Sequence, residues 1–407
     1  YLGKDYEVEA TMGHIKDLPK SVLGVDIDGG FIPNYKVKTD KRDIVKKLRK
    51  QAASADHIYL ASDPDREGEA IAWHVVEELK KPASAVSRII FHEITKKAIT
   101  EALKNTEQLN ESLYDSQKAR RVMDRIVGYT MSPLLWKKVK RGLSGGRVQS
   151  VAVRLICMRQ EEIESFISKE YWTIDVVLKT SGKDKFTAKV VVPKEIPDES
   201  AARTITDTIR NAPAITIENI KKQVRYKNPL PPFITSTLQQ ASSTRLRFSA
   251  KKTMMIAQQL YEGIAIGSGE ITGLITYMRT DSPIVSSDAI KQARDFIPAQ
   301  YGKDYLPEKS RQYKAKKSAQ EAHEAIRPTE VGNTPESIKS FLSQDQFALY
   351  DLIWKRFIAS QMKSAAYDQT AVDISANECR LRANGSIMKF DGFLRAYSIQ
   401  EEKDALL

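Results

Sequence analysis

Leu60-Ala61-Ser62-Asp63-Pro64-Asp65-Arg66-Glu67-Gly68-Glu69-Ala70-Ile71-Ala72-Trp73-His74 is the stretch on which the reading of the fold turns. The run His57-Ile58-Tyr59-Leu60-Ala61 that leads into it is short and apolar, as a strand is, and Ala70 to Leu79 carries helical spacing. Between them Asp63, Asp65 and Glu67 stand at alternate positions. In an open parallel sheet, ligands bind beyond the carboxyl ends of the strands. Three carboxylates converging there suit a hard divalent cation such as Mg²⁺, which takes oxygen ligands and keeps several waters. The plainer account is acids opposing a helix dipole. One acid would need no more than that, whereas three within five residues repel one another without a counter-ion.

Further along, Val86 to Phe91 reads as another short strand, and a helix follows Glu93-Ile94-Thr95 to about Leu103. Strands alternating with helices predict a parallel α/β sheet. Residues 111–166 read as mostly helical, broken at Ser132-Pro133 and from Gly142 to Gly146. Val176-Val177 and Val190-Val191-Val192 flank a turn at Ser181-Gly182-Lys183-Asp184, which predicts a β-hairpin. Ala214 to Tyr226 reads as a strand, and Pro229, Pro231 and Pro232 mark a boundary or hinge. Helical signals return from Thr235 to about Glu262, and residues 364–399 revert to strand character. A β-rich domain interrupted by a helical insertion over roughly 237–363 is the simplest account.

Bulk properties bound the function. The 407 residues are too many for one ordinary core, and two to four domains are expected. No run approaches the ~18 uninterrupted apolar residues of a membrane span, and no signal peptide is visible. Cys157 and Cys379 alone make neither a disulfide framework nor a CxxC zinc module, and fit a reducing compartment. The net charge of +12 invites a polyanionic partner. Residues 115–160 hold eleven Lys or Arg against Asp115 and Asp124 alone, a net of +9. A solvated helical surface is the alternative reading of that stretch.

Gly273-Leu274-Ile275-Thr276-Tyr277-Met278-Arg279-Thr280-Asp281-Ser282 carries a possible nucleophile. In an extended segment Tyr277 and Arg279, two apart, share a face. A phenol with a reference pKa near ~10 attacks poorly at neutral pH. A fixed cation beside it lowers the cost of the phenolate and stabilises charge on a phosphoryl oxygen. Among sixteen tyrosines a lone one is ordinarily core or surface. Arg120-Arg121-Val122-Met123-Asp124-Arg125-Ile126-Val127-Gly128-Tyr129 has helical spacing. Asp124 can pair with Arg120 or Arg121, and the remaining positive charge is open to phosphates. Leu143-Ser144-Gly145-Gly146-Arg147-Val148-Gln149-Ser150 places small residues where backbone N–H groups could approach phosphate.

Taken together, these strings resemble the type IA DNA topoisomerases, on the side of bacterial topoisomerase I. The strand followed by DxDxE resembles the Toprim domain, which type II topoisomerases, bacterial primases and some nucleases share. Gly13-His14-Ile15-Lys16-Asp17-Leu18-Pro19 resembles the family's GHxxDLP segment, and Phe91-His92-Glu93-Ile94-Thr95 also fits. The helix resembles ARRVxDRxVGY, and the Gly-rich loop SxGRVQS. Tyr277 with Met278 and Arg279 resembles the active-site motif, and Ala322-His323-Glu324-Ala325-Ile326-Arg327-Pro328-Thr329 the AHEAIRPT segment. The matches keep the family's order along the whole chain.

The resemblance implies a multidomain α/β, α and β fold shaped as a toroid. Its parts would be a Toprim domain over 1–108, a partial helical base over 109–165, a β-rich arch over 166–236 and 364–407, and a helical domain bearing Tyr277 over 237–363. It implies ATP-independent relaxation of negatively supercoiled DNA through a 5′-phosphotyrosine, which agrees with the absence of a GxxxxGK[ST] loop. Tyr277, Arg279, His323 and Glu67 would be catalytic, and Asp63, Asp65 and Glu67 would hold Mg²⁺. His14, Arg66, Arg120, Arg121, Asp124, Tyr129, Arg147 and Gln149 would contact DNA, preferentially single-stranded or underwound. Taken alone, His323 could be a structural histidine. A monomer in the nucleoid-containing cytoplasm is expected. A further Glu and Lys of the family belong to a strand that would precede Tyr1, and the rest of the base would follow Leu407. Rival readings are a topoisomerase III-like decatenase, the topoisomerase half of a reverse gyrase, a non-catalytic single-strand-binding Toprim protein, and a primase-like or nuclease Toprim protein.

Overall fold

The computed structural model describes residues 1–180, 182, 184–267, 269, 271–314 and 324–398. The chain divides into two compact units, Tyr1–Phe166 and Ile167–Leu407.

The first unit opens with two-residue strands β1 (Lys16–Asp17), β2 (Val25–Asp26), β3 (Ile32–Pro33) and β4 (Lys36–Val37), in antiparallel pairs β1–β4 and β2–β3. Helix α1 (Arg42–Ser54), strand β5 (Ile58–Leu60), helix α2 (Arg66–Leu79) and strand β6 (Val86–Arg88) follow. β5 and β6 pair in parallel, as the strand–helix–strand pattern predicts. β6 stops at Arg88, three residues short of the end of the apolar run, although Ile89 N still donates to Leu60 O at 3.0 Å. The core here gathers Ile15, Val45, Leu60, Ala72, Val75 and Val86.

Thr95 caps α3 (Lys96–Lys104), and Asn110 caps α4 (Glu111–Lys138), each side chain accepting from a first-turn N–H. α4 runs unbroken through Ser132-Pro133, contrary to the break expected there. Pro133 removes one donor, the partner of the Tyr129 carbonyl, late in a 28-residue helix. Around it Ser132 Oγ accepts from Gly145 N at 3.2 Å, and Trp136 Nε1 donates to Leu143 O at 2.6 Å. These ties hold the last turns against the loop that follows. α5 (Arg147–Glu164) starts at the end of that Gly-rich loop.

In the second unit, β7 (Asp175–Lys179) and β8 (Lys185–Val191) form the expected antiparallel hairpin; Ser181 and Lys183 of its turn lie outside the described residues. Helix α6 (Glu199–Arg210) and strand β9 (Ile215–Lys227) follow, then α7 (Thr235–Leu246) and α8 (Ala250–Glu262). Next come the short pair β10 (Ile264–Ala265) and β11 (Ile271–Thr272), and helices α9 (Ser287–Gln300), α10 (Pro335–Ile338) and α11 (Gln344–Gln361). A hairpin of β12 (Ala365–Ala376) and β13 (Cys379–Phe390) completes the order. The five-stranded sheet runs β7-β8-β13-β12-β9, so β9 and β12 are neighbours although α7 to α11 lie between them in sequence. Ile209 of α6 packs with Ala188, Ile374, Leu381 and Ala383 on one face of that sheet. α11 is almost wholly buried from Leu349 to Gln361, the anchor of the helical part.

Candidate active site and nucleic-acid interface

The acidic loop is shaped by one glycine. A Cβ on Gly68 would stand 2.1 Å from the Asp63 carbonyl oxygen, so only glycine lets the start of α2 fold back on the end of the loop. Ser62 Oγ donates to Gly68 O at 2.7 Å, and Asp65 caps α2 by accepting from Gly68 N at 2.8 Å. Arg66 is the first residue of α2 and is half-buried.

Glu67 turns to His14 and Gln117, whose Nε2 atoms each lie 3.2 Å from its Oε2; the first bond requires the proton on His14 Nε2. The His14 hydrogen bond, against some desolvation and with help from Gln117, holds the Glu67 carboxyl down at about 2. Behind them His74 is buried, its ring edge-on to Tyr35 at 4.7 Å and to Tyr114 at 5.9 Å. Burial pushes His74 down to about 4, so its ring is neutral at pH 7.

Glu69, outside the expected site, is the pivot of a buried network. Arg88 Nε donates to Glu69 Oε2 at 2.9 Å, with both side chains almost completely buried. The same guanidinium donates to Leu60 O, Ile89 O and Asp63 O at 2.9, 2.9 and 2.7 Å. Glu69 Oε1 accepts from Asn110 N at 2.6 Å. One pair thus ties the end of β5, the acidic loop and the start of α4. The signal in the sequence was an arginine inside an apolar strand run, a position that demands a buried partner.

The carboxylates of this loop offer hard oxygen donors of the kind Mg²⁺ takes, but among the described residues no three metal-ligating side chains form a ready-made cage. Such a donor set suits an ion that keeps waters and takes further oxygens from a phosphate.

Along α4 the expected DNA contacts separate into two groups. Arg121 grips the Asp17 carboxylate with Nε and Nη2 at 2.9 and 2.7 Å. Arg125 donates to Pro19 O and Leu18 O, and Tyr129, under the Arg125 guanidinium, donates to Lys20 O. Arg121 is therefore held by Asp17 of the GHxxDLP segment, and Tyr129 by Lys20, the residue that follows it. On the neighbouring face Asp124 accepts from Arg147 Nε at 2.8 Å and lies 3.8 Å from Arg120. Gln149 Nε2 donates to Ser144 Oγ at 3.3 Å, and a Cβ on Gly146 would meet that amide at 2.8 Å. Lys137, Lys138, Lys140 and Arg141 beyond are exposed.

In the second unit Tyr277 lies on a segment stitched to residues 325–329. Thr276 N donates to Arg327 O at 2.9 Å, Thr276 Oγ1 to Ala325 O at 2.7 Å, and Thr329 Oγ1 to Gly273 O at 2.7 Å. Arg327 is buried against Glu324 at 2.7 Å. The Tyr277 ring is buried and meets Tyr261 edge-on, centroids 5.3 Å apart. Arg279 is exposed, and the backbone bends at Met278. The alternation that would give Tyr277 and Arg279 one face is broken by that bend. His323 lies outside the described residues.

Residues 108–407 match the family model described as DNA topoisomerase, and residues 1–94 match that of the Toprim domain. The fold is similar to full-length topoisomerase I from Thermotoga maritima, with a TM-score of 0.86 and 41% identity over 98% of this chain. This chain spans 65% of the length of that one.

Proposed function

The chain belongs to the DNA topoisomerase family, and on that premise we propose that it relaxes negatively supercoiled DNA without ATP, cutting and resealing one strand through Tyr277. The observation that carries this reading is the pairing of residues 273–276 with 325–329. Two strings about fifty positions apart, each resembling the type IA enzymes, are hydrogen-bonded neighbours beside one buried tyrosine.

In the proposed reaction the Tyr277 phenolic oxygen gives up its proton to solvent and bonds to a backbone phosphorus. The bond from phosphorus to the 3′-oxygen breaks, and that oxygen leaves as a hydroxyl after taking a proton. One phosphoester replaces another, so the 3′-hydroxyl can attack back, and strain in the underwound duplex gives the cycle its direction. Arg279 steadies the phosphoryl charge, and His323 assists there. Glu67 acts as a fixed negative charge, because a carboxyl held near 2 is a poor proton donor at neutral pH. Asp63, Asp65 and Glu67 would hold Mg²⁺, which supplies charge neutralisation at the phosphate when bound.

His14, Arg66, Arg120, Arg121, Asp124, Tyr129, Arg147 and Gln149 line the path proposed for a single strand. Asp124 orients Arg120 and Arg147, and the exposed lysines beyond extend the positive track. The division into Toprim (1–108), base (109–165), arch (166–236 and 364–407) and Tyr277-bearing (237–363) domains belongs to the same proposal. So do a monomeric state and a place at cytoplasmic DNA. Among the described residues no helix is long and apolar enough to cross a membrane.

Denaturing the protein on 3′-end-labelled single-stranded DNA tests the reading. Wild type should carry the labelled fragment, joined through its new 5′-phosphate, and Tyr277→Phe should carry none. An adduct that survives Tyr277→Phe would refute the nucleophile assignment.

A further inference from the structure

We propose that Thr235 is a positioning residue for the cleavage step: its hydroxyl fixes the turn at Met278 to Thr280, and with it the direction in which Arg279 is presented after Tyr277. This rests on the nucleophile reading above. Thr235 opens α7, immediately after Pro231-Pro232-Phe233-Ile234. Its Oγ1 donates to Met278 O at 2.8 Å and accepts from Thr280 N at 2.9 Å. Its backbone N–H donates to Thr280 O at 2.9 Å. Arg279 is the single residue between the groups so held.

A hydroxyl at a helix start ordinarily serves the helix, accepting from one of its own open N–H groups. Here Thr237 Oγ1 accepts from Ile234 N at 3.0 Å, so a different hydroxyl answers the backbone at the entry to α7. The Thr235 hydroxyl uses both its donor and its acceptor capacity on the 278–280 turn. Two residues before it, Phe233 O accepts from Ile326 N at 2.8 Å. Residues 233–235 therefore join both strings that surround Tyr277. Arg279 is exposed, so its own side chain does little to hold the bend, and the backbone must be fixed from outside. A guanidinium that meets charge only in the transition state is sensitive to such fixing, because a shift of about 1 Å can cost on the order of a hundredfold in rate.

Thr235→Val keeps the shape and removes the hydroxyl; Thr235→Ser keeps the hydroxyl. Both are made in the full chain, with adduct formation timed on saturating single-stranded oligonucleotide. DNA affinity is measured with Tyr277→Phe as background, and thermal midpoints are recorded. Thr235→Val should form adduct roughly tenfold to a hundredfold more slowly with DNA affinity unchanged within about twofold, and Thr235→Ser should run near wild type. The proposal is overturned if Thr235→Val reacts at the wild-type rate, or if its loss of rate is no larger than its loss of affinity. A folded Thr235→Ser as slow as the valine variant overturns it too, and that arm decides alone should Thr235→Val not fold. Adduct in Tyr277→Phe itself would sink the nucleophile reading, whereas no adduct there with a fast Thr235→Val sinks only the role of Thr235.

Discussion

His14 Nε2 stands 3.2 Å from Glu67 Oε2, the same oxygen that accepts from Gln117. That contact is the largest cause of the low Glu67 pKa. A carboxyl whose folded value is depressed stabilises the fold above its unfolded value and loses that contribution as pH falls. The window here runs from 4.5 down to about 2. Thermal unfolding of wild type and His14→Ala should differ most above the upper limit and converge toward the lower one. A gap independent of pH would show that the pair does not act through Glu67.

His74 produces a second window. Its folded value, about 4 against 6.5 for the free side chain, means the unfolded chain binds the extra proton first. Stability should fall as pH drops from 6.5 to 4 and the slope should then flatten. His74→Phe should remove that slope while leaving the Glu67 window in place. An unchanged pH profile in the folded variant would contradict the buried neutral ring.

Asp65 has two separable duties, one seen and one proposed. Its Oδ1 caps α2. Asp65→Asn keeps an acceptor and should unfold within a few tenths of a kcal/mol of wild type, whereas Asp65→Ala should lose ~1 kcal/mol. Both should raise the Mg²⁺ concentration needed for relaxation. Equal stability of the two variants in denaturant titration would argue against the cap.

The Arg88–Glu69 pair is buried on both sides. Arg88→Leu strands a carboxylate in the core and should cost about 3–5 kcal/mol in denaturant unfolding. Arg88→Leu with Glu69→Leu should recover part of that loss, because no unpaired charge is left. A double variant no better than the single one would mean that the Asp63 and Leu60 carbonyls, not Glu69, are what Arg88 serves.

Much of this was legible in residues alone. The strand, acids and helix around Asp63 announce a parallel α/β unit, and the valine pairs around residue 181 announce a hairpin, because both patterns follow local spacing. What was hidden depends on partners distant in sequence. Pro133 reads as a helix break, yet ties from Ser132 and Trp136 to the following loop carry α4 past it. Tyr277 and Arg279 read as sharing a face, yet the bend at Met278 separates them. Glu69 reads as one more acid on a helix start, and nothing local says that Arg88 lies against it. Arg121 and Tyr129 read as contacts for nucleic acid, and nothing local says that Asp17 and Lys20, more than a hundred positions earlier, also bond to them.

Those last contacts form a ladder with a consequence for how the chain can vary. Arg121, Arg125 and Tyr129 recur every four residues, a rise of about 6 Å per step. Their partners, Asp17, the Leu18 and Pro19 carbonyls, and Lys20, follow along one short segment. The two spacings are commensurate, so adding or deleting a single residue between Asp17 and Lys20 would throw the rungs on one side of the change out of register with those on the other. Length changes in this part of the molecule belong instead after Lys20, in the turn that leads to Ile32, where the chain can lengthen without disturbing a rung.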